Sequence, residues 1–236
     1  MKIIVEGGVR HKMDKVSVII RTKNEGRWIG HSLQSVIDLL DKPEIIIVDN
    51  KSEDETMQIV KSFREDPSLK NKNNSNYTKI SILTIDDYSP GKSINLGVKM
   101  ASNRTILVLS AHCVLKKINM QKHVRDLKKF KCIFGNQIPV WKGKKITKRY
   151  IWSHFGKKEK ENMYSDQENR YFLHNAIAIY DRNFLLKNKF NEHLTSKEDR
   201  YWANSIVKKK YKYLYDPQLE AEHHYTEAGN TWKGIG

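Results

Sequence analysis

The chain has 236 residues, 39% of them hydrophobic and 10% aromatic, and 43 Lys plus Arg stand against 27 Asp plus Glu for a formal net charge of +16 at pH 7. That is enough apolar material for one sizeable α/β core, or two small ones, beneath a polar exterior marked by a mean hydropathy of -0.68. Cys113 and Cys132 exclude a disulfide framework and a cysteine-rich zinc site, no run approaches the roughly 20 apolar residues of a membrane span, and the charged opening MKIIVEGGVRHKMDK excludes a signal peptide.

These exclusions point to a reducing cytosol, with any membrane contact peripheral. The positive field favours anionic partners: nucleic acid, nucleotide phosphates or lipid head groups, which charge alone does not separate. A genome biased toward Lys and Asn codons explains much of the excess equally well.

The β-branched run VSVII at 16–20 predicts a strand, and Ile29, Leu33, Val36, Ile37 and Leu40 then repeat at helical spacing. EIIIVD at 44–49 predicts a second strand. Ser52 and Glu55 fit the S-x-x-E capping box and open a second helix with Met57, Ile59, Val60 and Phe63 on its apolar face. The Lys-, Asn- and Ser-rich stretch REDPSLKNKNNSNYTK predicts an exposed, mobile loop before a third strand, ISILTI at 80–85. After DDYSPG, Ile94, Val98 and Ala101 mark one helix face, and TILVLS at 105–110 is apolar on both sides, which predicts a central, parallel strand.

This alternation predicts an α/β fold: one domain with a mostly parallel central sheet flanked by helices and joined by right-handed crossovers. Ligands of such sheets bind at the carboxyl ends of the strands. That edge carries residues 21–25, Asp49, Asp86 with Asp87, and Ser110 to Cys113. In the second half, WKGKKITKRYIWSHFGKKEK at 141–160 holds eight Lys or Arg against one Glu, interleaved with aromatics, and reads as an excursion from the core. HNAIAIY at 174–180 restores strand alternation, EDRYWANSIVKKK at 198–210 predicts a helix with Ala203, Ile206 and Val207 inward, and YKYLYD predicts a last short strand.

Several motifs carry chemistry, and each has a plainer explanation. GKS at 91–93 suggests a phosphate loop, but that pattern needs Gly where Asp86 stands, so it is rejected. No G-x-G-x-x-G follows a strand, which removes a dehydrogenase-type dinucleotide fold. Asp49 is either a turn former or a carboxylate accepting hydrogen bonds from a nucleobase or ribose. Glu198 and Asp199 are either helix caps favoured by the macrodipole or include a catalytic base. His223 and His224 are adjacent in an extended segment and point to opposite faces, so one at most faces a site, as a structural hydrogen-bonder or as a metal ligand.

Taken in order, these pieces resemble glycosyltransferase family 2, the inverting nucleotide-sugar enzymes with a GT-A fold, from about Val16 to His223. VSVIIRTKNEGRWIGHSLQSV is similar to that family's opening strand and loop, EIIIVDNKSEDET to its second strand, and GKSINLGVKMASNRTILVLSAHC to the helix leading into its metal strand. The wording YSPGKSINLG with LSAHC, followed by FGNQIP, resembles members described as rhamnosyltransferases or capsule and surface-polysaccharide transferases. In the family the fourth strand usually ends in D-x-D, whose carboxylates hold a divalent ion against the sugar nucleotide. Here Ser110 and His112 occupy those places.

The resemblance implies two accounts of that departure. In one, His112 ligates a Mn²⁺-like ion, which suits imidazole better than Mg²⁺ does, and His223 supplies a second ligand. In the other, His112 donates a hydrogen bond directly to the diphosphate, with Lys92 and other cations replacing the ion. The resemblance also implies that Asp199 is the general base and Glu198 its neighbour or an acceptor contact. Asp49 then contacts the nucleobase or ribose, and the loop with Thr22, Asn24 and Glu25 flanks the nucleotide.

The expected activity is transfer of a sugar from a nucleoside-diphosphate donor to a saccharide or lipid-linked acceptor in cell-surface polysaccharide or glycolipid assembly. The basic segment 141–160 would face an acidic glycan, a lipid-linked acceptor or the anionic inner leaflet of the cell membrane, or is simply a solvated surface. The expected domain covers 15–225, with a nucleotide-binding half at 15–115, an acceptor half at 116–225 and a tail at 226–236. One rival keeps the fold without turnover, as a sugar-nucleotide or glycan binding module. Another is a basic nucleic-acid-binding protein, which no recognisable module supports. The donor's base and sugar, the acceptor and the oligomeric state are not legible.

Overall fold

β-Branched residues dominate β1 (Val16–Thr22) and β2 (Glu44–Asp49), and their side chains alternate between two buried faces. This computed structural model describes residues 15–69, 77–145 and 155–226. Between the strands, α1 (Gly26–Leu39) and α2 (Thr56–Glu65) cover one face, and β3 (Lys79–Thr84) follows. α3 (Pro90–Met100) begins with Pro at its first position and Ser89 as its cap, the Ser89 hydroxyl accepting from Lys92 N–H at 3.1 Å.

Next come β4 (Thr105–Ser110), β5 (Cys113–Lys117) and α4 (Met120–Asp126), then the long β6 (Cys132–Trp141). Four two-residue strands decorate the second half: β7 (Lys144–Lys145), β8 (Lys160–Glu161), β9 (Tyr164–Ser165) and β10 (Arg170–Tyr171). The chain closes with β11 (Ile177–Asp181), α5 (Arg182–Lys187), α6 (Glu198–Lys208) and β12 (Leu214–His224).

One sheet runs through both halves in the order β3-β2-β1-β4-β11-β6-β12-β5. The first four strands are parallel, β11 is antiparallel to both neighbours, and β12 is parallel to β6 and antiparallel to β5. On one face Val18, Ile20, Ile45 and Ile47 pack against Ile29, Leu33, Val36 and Val60. On the other, Ile19, Ile46, Val48 and Ile106 meet Ile94, Val98, Ala203 and Ile206. Each fully buried aliphatic side chain contributes about 1.5–3 kcal/mol, so these two clusters hold the sheet rigid beneath its carboxyl edge. Register matters for the site: Thr22 lies beside Asp49, and Arg21 beside Ser110.

Three sequence expectations need correction. Ser52 and Glu55 form no capping box: the Ser52 hydroxyl donates to Asp49 Oδ1 at 2.6 Å, and Asp54 Oδ1 instead accepts from Thr56 N–H at 3.0 Å. β4 is central but parallel to β1 alone, because its other neighbour β11 runs antiparallel. The last strand is long, not short. β12 has 11 residues, and Pro217 is accommodated where its register shifts between Asp216 and Glu220. Gly135 allows that shift, since a Cβ there would lie 2.2 Å from the carbonyl oxygen of Leu219. Of the basic segment 141–160, residues 146–154 lie outside the described residues, as do 70–76 of the loop expected to be mobile and 227–236 of the tail.

Candidate active site

Residues 21–25, where the chain leaves β1, reach Glu198, the loop that holds Asp49, and His112, whereas Asp86 and Asp87 pair with Lys51 and Lys92. Thr22 is buried beside Asp49, and its hydroxyl has no hydrogen-bond partner among the described residues. Asn24 takes a left-handed conformation, φ 53°, which turns it toward the loop after β2. Its N–H donates to Ser52 Oγ at 2.9 Å and its Oδ1 accepts from Glu53 N–H at 2.8 Å. Ser52 in turn donates from both its hydroxyl and its N–H to the Asp49 carboxylate. Asp49 is therefore a carboxylate braced at a strand end by the turn that follows β2.

Glu25 is buried, and its Oε1 lies 2.8 Å from His112 Nδ1. His112 follows β4, and its Nε2 lies 2.9 Å from Nε2 of His223, near the end of β12. His223 Nδ1 meets Gln137 Oε1 of β6. Where Glu25 Oε1 accepts, His112 donates through Nδ1, and where Gln137 Oε1 accepts, His223 donates through Nδ1. In that pair of tautomers the two Nε2 atoms would share a proton or a cation; with either ring in its other tautomer, one Nε2–H donates to the other. Burial holds His223 well below the usual histidine range, so a proton there is costly. His224 points the other way: it stacks on Trp28 with ring centroids 3.9 Å apart, and its N–H donates to the His112 carbonyl at 3.0 Å.

Glu198 and Asp199 open α6 after Lys197, which has φ 57°. Both are buried, and both lie in the first turn, where the macrodipole favours negative charge. Arg21 Nη1 reaches Glu198 Oε1 at 3.3 Å, while Arg200 Nη1 lies 3.0 Å from Asp199 Oδ1. Burial raises Glu198 above the usual carboxylate range, and the Asp199 charge adds to that, against the opposing pull of Arg21 and Asn175. Arg21, Thr22, Asn24 and Glu25 thus connect the acid pair, Asp49 and the histidine pair through one loop.

A family model described as Glycosyl transferase family 2 matches residues 17–192. The chain belongs to glycosyl transferase family 2. Among curated proteins it is 28% identical over 233 residues to poly(ribitol-phosphate) beta-N-acetylglucosaminyltransferase TarS of Staphylococcus aureus, in two strains. That match covers 89% of this chain and 37% of the relative, so the chain spans little more than a third of the curated proteins it matches. The crystal structure of S. aureus TarS 1–349 in complex with UDP-GlcNAc superposes with a TM-score of 0.66 at 19% identity, over 94% of this chain and 62% of that one. The complex with UDP gives 0.63 at 20% identity, over 90% and 61%. At these identities the superpositions show a shared fold.

Within this family 2 chain, the fit of a metal ion follows from the donor set. The converging Nε2 atoms of His112 and His223 would hold an imidazole-taking ion such as Mn²⁺, each ring braced from behind by Glu25 or Gln137. Ser110 stands where the family usually has a carboxylate, so this position offers Mg²⁺ no carboxylate oxygen. Among the described residues no group of three or more His, Cys, Asp or Glu is placed to hold a metal.

Ser110 ends β4, and its N–H donates to the Ala176 carbonyl at 3.0 Å. Lys92 stands apart from the histidines: it pairs with Asp87 at 2.7 Å and lines a cavity of about 300 Å³ between α3 and α5. That cavity contains no other predicted site residue. Sequence reasoning placed Arg21 at the ligand edge without giving it a role, and missed Asn175 and Gln137 as members of these networks. Arg21 was detectable as the one charge in an otherwise apolar strand, and Asn175 as a polar residue abutting another; Gln137 gave no signal.

Proposed function

We propose that this family 2 domain transfers a sugar, with inversion, from a UDP-sugar to an anionic polymer of the polyol-phosphate or saccharide kind in cell-surface assembly. The single observation that carries this is the loop at 21–25, whose contacts reach the acid pair, the braced Asp49 and the histidine pair together. UDP is chosen because the solved relatives carry UDP-GlcNAc and UDP, and an anionic acceptor because a TarS relative is named for poly(ribitol-phosphate). The net charge of +16 supports the same choice. A lipid-linked acceptor at the inner membrane face fits that charge too; among the described residues no helix is long and apolar enough to cross a membrane.

Asp49, Thr22 and Asn24 receive the nucleoside, and the half at 15–115 is the donor half. The half at 116–225 receives the acceptor, although both halves share one sheet. An acceptor hydroxyl attacks the anomeric carbon from the side opposite the diphosphate. As the new C–O bond forms, the bond to the diphosphate oxygen breaks with its electron pair, and the hydroxyl proton passes to the Asp199 carboxylate. Glu198 keeps a second carboxylate beside the acceptor, and Arg21 offsets its charge. A divalent ion bound by His112 and His223 would stabilise the charge gathering on the departing diphosphate.

Thermal shift against UDP-, GDP-, CMP- and dTDP-sugars tests the donor, since a ligand at 100 times its Kd stabilises by about 2.7 kcal/mol. The expected result is a shift with UDP-GlcNAc or another UDP-sugar, followed by release of UDP when a polyol-phosphate polymer is added. Binding without turnover under any metal condition would mean an inert sugar-nucleotide binder. A steep salt dependence with DNA or RNA and no nucleotide-sugar shift would mean a nucleic-acid-binding protein.

A further inference from the structure

A single residue before β11 holds both carboxylates of the acid pair. Asn175 is 2% exposed. Its backbone N–H donates to Asp199 Oδ2 at 3.3 Å and its Nδ2 donates to Glu198 Oε1 at 3.2 Å. Its Oδ1 accepts from the Tyr180 hydroxyl at 2.5 Å. The carboxylate fixes the amide's orientation, because a flipped side chain would set Oδ1 against Glu198.

Tyr180 is itself immobilised. It is fully buried in β11 and packs edge-on against Trp202 at 5.3 Å and Phe190 at 5.8 Å. Trp202 belongs to α6, the helix that carries the two carboxylates. The next residue, Ala176, ties the same segment to the end of β4 through Ser110. Asn175 therefore stands between the strand end on the donor side and the helix start on the acceptor side.

We propose that Asn175, aimed by Tyr180, is a positioning residue that holds Glu198 and Asp199 in one fixed geometry while the acceptor hydroxyl gives up its proton. The proposal rests on the inverting-transfer reading above.

The charged and titratable groups facing Glu198 are Arg21 from β1, Tyr180 from β11, and Asp199 and Arg200 from α6. Burial raises Glu198, and Asn175 is one of the donors opposing that rise. Without its Nδ2, the charges of Arg21 and Arg200 remain to oppose it, and a proton on Glu198 becomes easier to hold. A purely structural hydrogen bond would change stability and the Glu198 titration but leave kcat at saturating donor where it was.

The test compares Asn175→Ala and Tyr180→Phe with the unaltered 236-residue chain, using UDP-GlcNAc turnover and ¹³C carboxyl NMR of Glu198. In Asn175→Ala, kcat is expected to fall about tenfold to a hundredfold, KM for UDP-GlcNAc to change by less than about threefold, and the acid limb of the kcat profile to move to higher pH. The Glu198 midpoint is expected to rise by about one pH unit. Tyr180→Phe, which retains the ring, is expected to show a smaller loss in the same direction. An unmoved Glu198 midpoint, or a loss confined to KM or melting temperature, overturns the proposal. If the unaltered chain turns over no UDP-sugar, the transfer reading fails, and the NMR titration still decides whether Asn175 controls the pair.

Discussion

Nε2 of His112 lies 2.9 Å from Nε2 of His223, across 111 residues of sequence. The contact joins the exit of the central strand β4 to the end of β12. It is also the point where this chain departs from the carboxylates usual in its family. A hydrogen bond between the rings, or a cation shared by them, fits this contact.

Metal removal tests that arrangement. Turnover is expected to fall after EDTA treatment and to return with Mn²⁺ but not with Mg²⁺, while His112→Ala loses the Mn²⁺ response. The double variant His112→Ala with His223→Ala is expected to cost little more than either single change, because the pair acts as a unit. Glu25→Gln keeps the ring but weakens its bracing, and Mn²⁺ binding measured by calorimetry is expected to weaken about 10–100-fold.

Asp199→Asn is expected to lower kcat by about 10²–10⁴-fold while the thermal shift with UDP is retained, since the change removes a proton acceptor and leaves the nucleotide end intact. Asp49→Ala is expected to do the reverse. UDP affinity falls about tenfold to a hundredfold, in line with loss of a charged hydrogen bond, and the rate at saturating donor changes little. Equal effects of both variants on binding and rate would remove the assigned division of labour.

Gly91 belongs to the GKS triplet that suggests a phosphate loop, but its role is close packing. A Cβ at this position would lie 2.4 Å from the Asn191 carbonyl oxygen and 3.1 Å from Phe190 Cβ. Gly91→Ala is expected to destabilise by about 1–3 kcal/mol through overpacking, lowering the melting temperature by about 2–4 °C per kcal/mol. Unchanged stability would mean that α3 and the 190–191 segment separate freely.

His174 is buried among Phe134, Phe155 and Phe172, and burial, with Arg200 nearby, pushes it down to about 4. The folded pKa lies below the unfolded value of about 6.5, so between these values the unfolded chain binds more protons and stability rises with pH. Lowering pH from about 6.5 to 4 is expected to remove roughly 3 kcal/mol through this residue. His174→Phe is expected to flatten that part of the stability profile in denaturant titrations, and an unchanged slope would assign the loss elsewhere.

The α/β class was legible because the first half repeats strand and helix periods without interruption. The second half was harder. Pro217 looks like the end of a strand, yet β12 carries on past it through a register shift. Ser52 satisfies a local capping pattern, but its hydroxyl instead donates to Asp49 in a local turn and accepts from Asn24 N–H across the site. Among site residues, Asp49, His112 and the acid pair stood out as polar groups at predicted element ends. The Arg21–Glu198 pair spans 177 residues, and no local pattern announces it.

The loops after β1 and β2 are stitched together before anything binds. Asn24 and Ser52, Asn24 and Glu53, Glu25 and Thr56, and Gly26 and Asp54 form four cross-links within a few residues. Such a bracket is preorganised. A nucleoside settling against it has little backbone to freeze, so its binding entropy is spared a penalty that floppy loops would exact. The same rigidity confines the freedom needed for release to other parts of the rim.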